Sequence, residues 1–391
     1  MKLRTHWRIL SLLLTLTILL AGCVASAPTG GAPAASGDQA SAPAAAEGPS
    51  GVLKIGLTTD IAAIELPYAP ERQAANASAT LYDTLVFPEA DGTYSPALAE
   101  SWEASEDGTS FTFKLRQDVK FHNGEPFNAD SVVYSWQTYS QPEVTYANEW
   151  SFAKSVEKID DYTVKISTET PNALLLARVS GWGMIPPKAH AEMGKEAFAQ
   201  APIGTGPFVF KEWVKGDHLT VVANPNYWRK GYPKVAEINF RFMTEAATRV
   251  AAVQTGEIDI APRLTAEDAD SLRTVDTLIV LNYPVDRVFN NITTGRDTPI
   301  MDVKVRQAIG HAIDMDTIIQ SIFSGYATRS VGFLSQGNLG YQEAEPLKYD
   351  VEQAKALLKE AGYENGFDIG MACPDAGYPR INEVCQAIQG Y

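Results

Sequence analysis

The chain has few of the residues that carry most site chemistry. It contains 391 residues but only three cysteines and five histidines. Cys373 and Cys385 are the only cysteines past position 23, and no histidine lies between Tyr326 and Tyr391 to complete a metal-ligand set beside them. In an oxidising compartment a pair at that spacing can form a disulfide; two free thiols are the alternative the sequence leaves open. Basic charge is also scarce. The formal net charge is −15 and falls further once Lys2, Arg4 and Arg8 are set aside, so the footprint of a nucleic-acid binder is missing. So acidic a surface keeps a protein soluble, and a preference for cationic ligands is the other reading. No Gly-x-Ser-x-Gly elbow, His-Glu-x-x-His helix or Walker loop occurs, which removes the motif-based case for an enzyme. The apolar run at 9–20 is shorter than the roughly 20 residues a bilayer-spanning helix needs.

That run nevertheless has a purpose. Lys2, Arg4 and Arg8 precede it and Leu20-Ala21-Gly22-Cys23 ends it, which is the layout of a secretory signal peptide over 1–22. The cysteine after Ala-Gly resembles the lipobox of bacterial lipoproteins, which implies that Cys23 is lipidated and anchors the chain to a membrane on its extracytoplasmic side. Residues 24–50 are nearly all Ala, Ser, Pro, Gly and Thr, with Asp38 and Glu47 the only charges and no aromatic. Such a segment buries too little apolar surface to offset ordering entropy, so 23–50 is expected to be a disordered tether. As a flexible coil it reaches on the order of 30 Å.

From Gly51 onward the patterns become those of folded structure. Strands are expected at 53–58, 162–167, 209–213, 219–223, 237–242, 258–260, 278–282 and 367–371. Asp107-Gly108 between alternating apolar residues predicts a hairpin within 101–121. Helices are expected at 72–85, after Asn128, after Thr244 to Thr255, from Asp302 through Ile313, from Asp350 to Ala361, and after Pro379. Interleaved strands, helices and small β units make the class α/β with mixed sheets.

Several blocks then combine. Pro96-Ala97-Leu98-Ala99-Glu100-Ser101-Trp102 leads to Phe111-Thr112-Phe113-Lys114-Leu115-Arg116 and to Phe121-His122-Asn123-Gly124-Glu125-Pro126-Phe127. Pro202-Ile203-Gly204-Thr205-Gly206-Pro207-Phe208 is followed by Asn224-Pro225-Asn226-Tyr227-Trp228, and then by Gly256-Glu257-Ile258-Asp259. Val305-Arg306-Gln307-Ala308 and Ala354-Lys355-Ala356-Leu357-Leu358 close the series. In this order the blocks resemble the peptide/nickel family of ABC-importer solute-binding proteins, family 5. The resemblance implies a bilobal periplasmic-binding-protein-like fold (type II, large cluster with an extra subdomain). Lobe I would span 51–285 with the subdomain at about 86–195, and an incomplete lobe II would span 286–391. The segment that supplies the carboxylate for a peptide's α-amine in peptide binders is not found, and the sequence reads as C-terminally truncated.

The resemblance also implies ligand-binding positions: Asp60 just past the first strand, Tyr146 and Trp150 in the subdomain, Gly204, Thr205 and Gly206 before a strand, and Asn290 and Asn291 near a hinge. Asp60, the two aromatics and the Gly-Thr-Gly stretch have structural alternatives: a turn cap, a core aromatic, a glycine turn. Arg306 is expected to form an ion pair with Asp302, and His122 and His311 are expected to be structural. No cofactor and no metal are expected. The implied function is capture of peptides for an ABC permease by a monomeric, lipid-anchored protein; another solute (oligosaccharide, opine, chelated nickel) or a sensing role is the alternative.

Overall fold

Alternation and turn chemistry position the first elements of the chain. The computed structural model describes residues 48–61, 63–64, 72–144, 147–283, 288, 298–336, 338, 340–374 and 380–391. Strand β1 (Val52–Leu57) is followed by helix α1 (Arg72–Ser78) and by the short strands β2 (Val86–Pro88) and β3 (Tyr94–Pro96). Next come β4 (Ala99–Ala104), β5 (Ser110–Leu115), α2 (Ala129–Tyr139), α3 (Ala147–Trp150), β6 (Ser155–Asp160) and β7 (Thr163–Ser167). Three short helices, α4 (Leu175–Val179), α5 (Pro187–Met193) and α6 (Lys195–Gln200), precede β8 (Phe208–Val214), β9 (His218–Ala223) and β10 (Glu237–Phe242). Helices α7 (Ala246–Thr255), α8 (Ala266–Leu272), α9 (Val303–Ala312), α10 (Met315–Phe323), α11 (Val351–Glu360) and α12 (Ile381–Gly390) complete the order.

The first sheet runs β1-β10-β9-β8 and is mixed: β1 lies parallel to β10, and the other pairs are antiparallel. The second, β4-β5-β7-β6, is antiparallel throughout. Its β4–β5 turn is the expected Asp-Gly turn, where Gly108 takes φ +66° and the Asp107 carboxylate accepts from Ser105 Oγ and Thr109 N. Asn128 caps α2 through a capping box, accepting from Asp130 N at 3.0 Å while Ser131 Oγ accepts from Asn128 N at 3.4 Å. One contiguous core joins the two sheets, running from Phe113, Val164 and Ile166 in the second to Leu219, Val221 and Phe240 in the first.

Past Met243 packing thins. Ala308 of α9 packs against Ala354 and Leu357 of α11, and the pair is tied by His311, whose Nδ1 lies 2.7 Å from Lys348 O while its carbonyl accepts from Asp350 N. Cys373 and Cys385 form a disulfide that fastens the stretch before 374 to α12.

Several expectations need correction. The first helix ends at Ser78, not 85, because the carbonyls of Thr80 and Leu81 accept from Phe208 N and Gly206 N instead of continuing the helix. Thr244 does not cap α7; its carbonyl is taken by the Arg249 guanidinium, and Glu245 stands at the cap without a side-chain bond. The Asp302 helix stops at Ala312 because Asp314 starts α10 by accepting from Thr317 N at 3.0 Å. Arg306 bonds the carbonyls of Ile300 and Met301, not Asp302, whose carboxylate caps α9 by accepting from Lys304 N. The stretches 278–282 and 367–371 have strand patterning but no ladder partner among the described residues. Ile279 is accordingly 86% exposed and Leu281 64%. At 258–260 the expected strand is reduced to a single parallel bridge, Ile55 with Ile260.

Candidate functional site

In an open α/β sheet the carboxyl ends of parallel strands are where ligands are received. Strands β1 and β10 end at the same edge of the first sheet, and the β8–β9 turn lies there too, since Phe242 N donates to Asp217 O and Met243 N to Leu57 O. Asp60 stands just past β1. Its Oδ2 accepts from Gly216 N at 3.0 Å, and its Oδ1 is buried with no partner among the described residues. Gly216 has φ +79°, a turn geometry that glycine adopts at little cost.

The edge is stiffened from beneath by Arg249, a residue the sequence reading passed over. It is only 3% exposed. Its Nη1 donates to Met243 O at 2.7 Å and Thr244 O at 2.9 Å, and Nη2 to Arg263 O at 3.3 Å. Burial lowers its pKa. Around the rim Arg241 lies between Asp217 (4.0 Å) and Glu257 (3.8 Å), and His218 between Asp217 (2.7 Å) and Glu212 (3.5 Å). The hydrogen bond to His218 holds the Asp217 carboxyl below its usual range. This edge offers carboxylate acceptors and backbone groups to a polar ligand. Among the described residues no group of three His, Cys, Asp or Glu side chains is placed to hold a metal ion.

The other expected positions fall elsewhere. Gly204, Thr205 and Gly206 precede β8, so they lie beyond the opposite end of a seven-residue strand, about 20 Å from the Asp60 edge. Both glycines do permit close backbone approach, but to the chain itself. A Cβ on Gly204 would stand 2.0 Å from Leu81 O, and one on Gly206 2.5 Å from Leu81 C. Thr205 is 1% exposed and its Oγ1 accepts from Asp83 N at 3.2 Å.

Around that junction the blocks that carry the resemblance converge. Asp83 accepts from Tyr227 Oη at 2.9 Å and Trp228 Nε1 at 2.8 Å, with Arg116 stacked 4.3 Å over the Trp228 ring. Burial pushes the Asp83 carboxyl up to about 6, against the pull of its hydrogen bonds to Trp228, Tyr227 and Thr205 and the charge of Arg229. On the other side His122 spans the same loop, with Nδ1 accepting from Gly204 N at 3.2 Å and Nε2 3.1 Å from Gly206 O. Burial lowers its pKa to about 4 despite the Gly206 contact.

Trp150 is 3% exposed, its ring stacked 4.7 Å from Trp182 at 11° and 4.6 Å from Tyr139. In this conformation it is a core aromatic and presents almost no surface to a ligand. Cys23, Tyr146, Asn290 and Asn291 lie outside the described residues. Asp83 and Arg249 were legible only as a buried-type pattern: an acid amid aromatics and an arginine on an apolar helix face.

Known proteins share this architecture. The chain is 37% identical over 276 residues to a protein named Glutathione-binding protein GsiB from Pectobacterium atrosepticum, covering 69% of this chain and 53% of that one. It is 34% identical over 326 residues to Heme-binding protein A of Haemophilus influenzae, covering 76% of this chain and 59% of that protein. The chain thus spans between half and three fifths of the length of these curated relatives. Among solved structures, the periplasmic binding protein DppA from Helicobacter pylori in complex with the peptide STSA matches with a TM-score of 0.67 at 27% identity, over 81% of this chain and 67% of that one. NikA from Brucella suis in complex with Fe(III)-EDTA matches with a TM-score of 0.69 at 30% identity, over 80% and 64%. The fold is therefore of the bilobal periplasmic-binding-protein class. Residues 93–391 match the family described as Bacterial extracellular solute-binding proteins, family 5 Middle, and with these identities the chain belongs to family 5 of the extracytoplasmic solute-binding proteins that serve ABC importers.

Proposed function

We propose that this chain captures short peptides at the carboxyl edge of its first sheet and presents them to an ABC permease. The observation that carries the reading is Asp60: one carboxylate oxygen is pinned by Gly216 N, and the other is buried with no partner among the described residues, at the edge where such sheets receive ligands. Backbone-rich surroundings and an acidic rim suit a peptide's amide and amine groups. The relatives support a family range that includes peptides, since the DppA structure carries STSA and the GsiB relative is named for glutathione. Binding acts by stabilising a closed arrangement of two lobes, 51–285 and 286–391, around the solute. The protein works as a monomeric binder without enzymatic chemistry. Cys23 carries the lipid that holds it outside the cytoplasm, and replacing Cys23 with Ser releases it from the membrane fraction.

Titration calorimetry of the chain with reduced glutathione and with Ser-Thr-Ser-Ala tests the reading. Saturable binding lost in Asp60→Ala supports it. Heat that does not saturate for either compound, or binding unchanged in that variant, overturns it.

A further inference from the structure

One loop runs against the charge of the rest of the chain. Arg229, Lys230 and Lys234 fall within six residues, between β9 and β10, in a chain of net charge −15. All three are exposed, and none of their side chains meets a carboxylate or another hydrogen-bond acceptor among the described residues. Tyr232 stands between them, 50% exposed, with the Arg229 guanidinium 4.9 Å and the Lys234 ammonium 5.3 Å from its ring centroid. Ring contacts of this kind are weak at exposed sites and leave the N–H donors open. The acids that adjoin the loop are engaged elsewhere: Glu237 pairs with Lys211 at 2.8 Å, and buried Asp83 accepts from Tyr227 and Trp228. Those bonds to Asp83, with Pro233 buried at the far end, hold the loop in a fixed shape.

The loop also has a particular place. Ser50 N donates to Lys234 O at 3.1 Å and Ala236 N to Gly51 O at 3.0 Å. The cations therefore surround the point where the 23–50 segment joins the folded body, a segment whose only charge near its end is Glu47. This point lies at the amino ends of β1 and β10, whereas Asp60 stands past their carboxyl ends, about 20 Å along six-residue strands.

We infer that the 229–234 loop docks the body on a membrane by binding anionic lipid headgroups. The inference rests on Cys23 as the lipid anchor, because the tether then keeps its own root, and the loop with it, within on the order of 30 Å of the bilayer. Guanidinium and ammonium donors suit phosphate headgroups, and a tyrosine ring with a polar tip suits the boundary between headgroups and water. Salt at about 0.15 M screens charges beyond roughly 8 Å, so the loop meets the headgroups free of most of the chain's acids. A body docked in this way turns its Asp60 edge away from the lipid, open to arriving solute.

The test uses the full chain with Cys23→Ser, which carries no lipid, so a failed anchor and a failed loop give separate results. Ser50→Cys then supplies a single free thiol for an environment-sensitive dye, since Cys373 and Cys385 are bonded to each other. The expected result is a blue shift of that dye with vesicles of phosphatidylcholine and phosphatidylglycerol, and none with phosphatidylcholine alone. A dye at Lys355→Cys on α11 does not shift. Apparent affinity falls about tenfold or more when Arg229→Glu, Lys230→Glu and Lys234→Glu are combined. Lys154→Glu, Lys355→Glu and Lys359→Glu together, an equal change of charge at exposed surface pairs, leave it near the parent value. The signal segment is common to all variants, so differences between them report the loop. No shift at position 50, an equal shift with phosphatidylcholine alone, or unchanged affinity in the loop reversal each overturns the inference. So does a shift that requires permease in the vesicles, which assigns the loop to a protein partner.

Discussion

Trp228 Nε1 donates to Asp83 Oδ2 at 2.8 Å across 145 residues of sequence. With Tyr227 and Thr205 the bond clasps three separate segments at the amino end of β8, and the carboxyl it uses is buried enough to sit at about 6.

That value sets a direction. Between 3.8, where an unfolded Asp83 titrates, and about 6, the folded chain holds a proton that the unfolded chain has given up. The contribution of Asp83 is therefore full below 3.8 and is lost as pH rises through 6. The whole span corresponds to on the order of 3 kcal/mol. Asp83→Asn should flatten this part of the profile, which urea midpoints at pH 4.5 and 7.5 would reveal as a smaller difference than in the parent. An unchanged difference counts against the buried-acid account.

His122 acts in the opposite sense. Its folded value of about 4 lies below the unfolded 6.5, so the unfolded chain takes up the proton first as pH falls. Stability from His122 is full above 6.5 and is lost toward pH 4. Between about 4 and 6 the two slopes oppose each other. His122→Gln should leave the chain more resistant to acid relative to its own value at neutral pH, as read by a melt series from pH 7 to 4. A series parallel to that of the parent would exclude His122.

The junction is also steric. Gly204→Ala puts a methyl group 2.0 Å from Leu81 O, a backbone atom that cannot swing aside. The expected loss is on the order of 3 kcal/mol by denaturant unfolding. Gly332→Ala has nothing within 4 Å of its new methyl and should be near neutral. Equal effects from the two changes would show that the contact with Leu81 relaxes.

Trp150 and Trp182 lie nearly parallel at 4.7 Å. Trp150→Ala should cost about 3–5 kcal/mol, the range for a large buried aromatic. It should also abolish any coupled-indole signal in near-ultraviolet circular dichroism. A loss below 1 kcal/mol, or a retained signal, would contradict the core placement.

The Cys373–Cys385 bond closes a twelve-residue separation. Replacing both with Ser removes a constraint worth on the order of 2–3 kcal/mol in the chain-entropy account. Hydrogen exchange should rise in α12 and leave β4–β7 unchanged. Free-thiol labelling of the unreduced protein would refute the bond directly.

Local signals are legible in the sequence. The Asp107-Gly108 turn, the Asn128 cap and the 237–242 strand depend on neighbours within a few residues, so the sequence expresses them directly. The ends of elements that meet distant segments are not legible in it. Helix α1 stops where Gly206 reaches Leu81, and α7 lost its expected cap to Arg249. The apolar run at 278–282 predicts a strand, but no strand forms there, since a run of apolar residues cannot name a partner. The site was least legible. Asp60 stands out in the sequence only by its place after a strand, whereas Gly204 and Gly206, expected to approach a ligand, are packed against Leu81.

The parallel pairing of β1 with β10 has a consequence for the order of folding. Leu53 and its partner Ile238 are separated in sequence by the whole second sheet. Closing so long a loop costs more conformational entropy than closing the nearby hairpins of the second sheet. The chain is thus expected to mature from its middle outward, its first strand among the last to find a place.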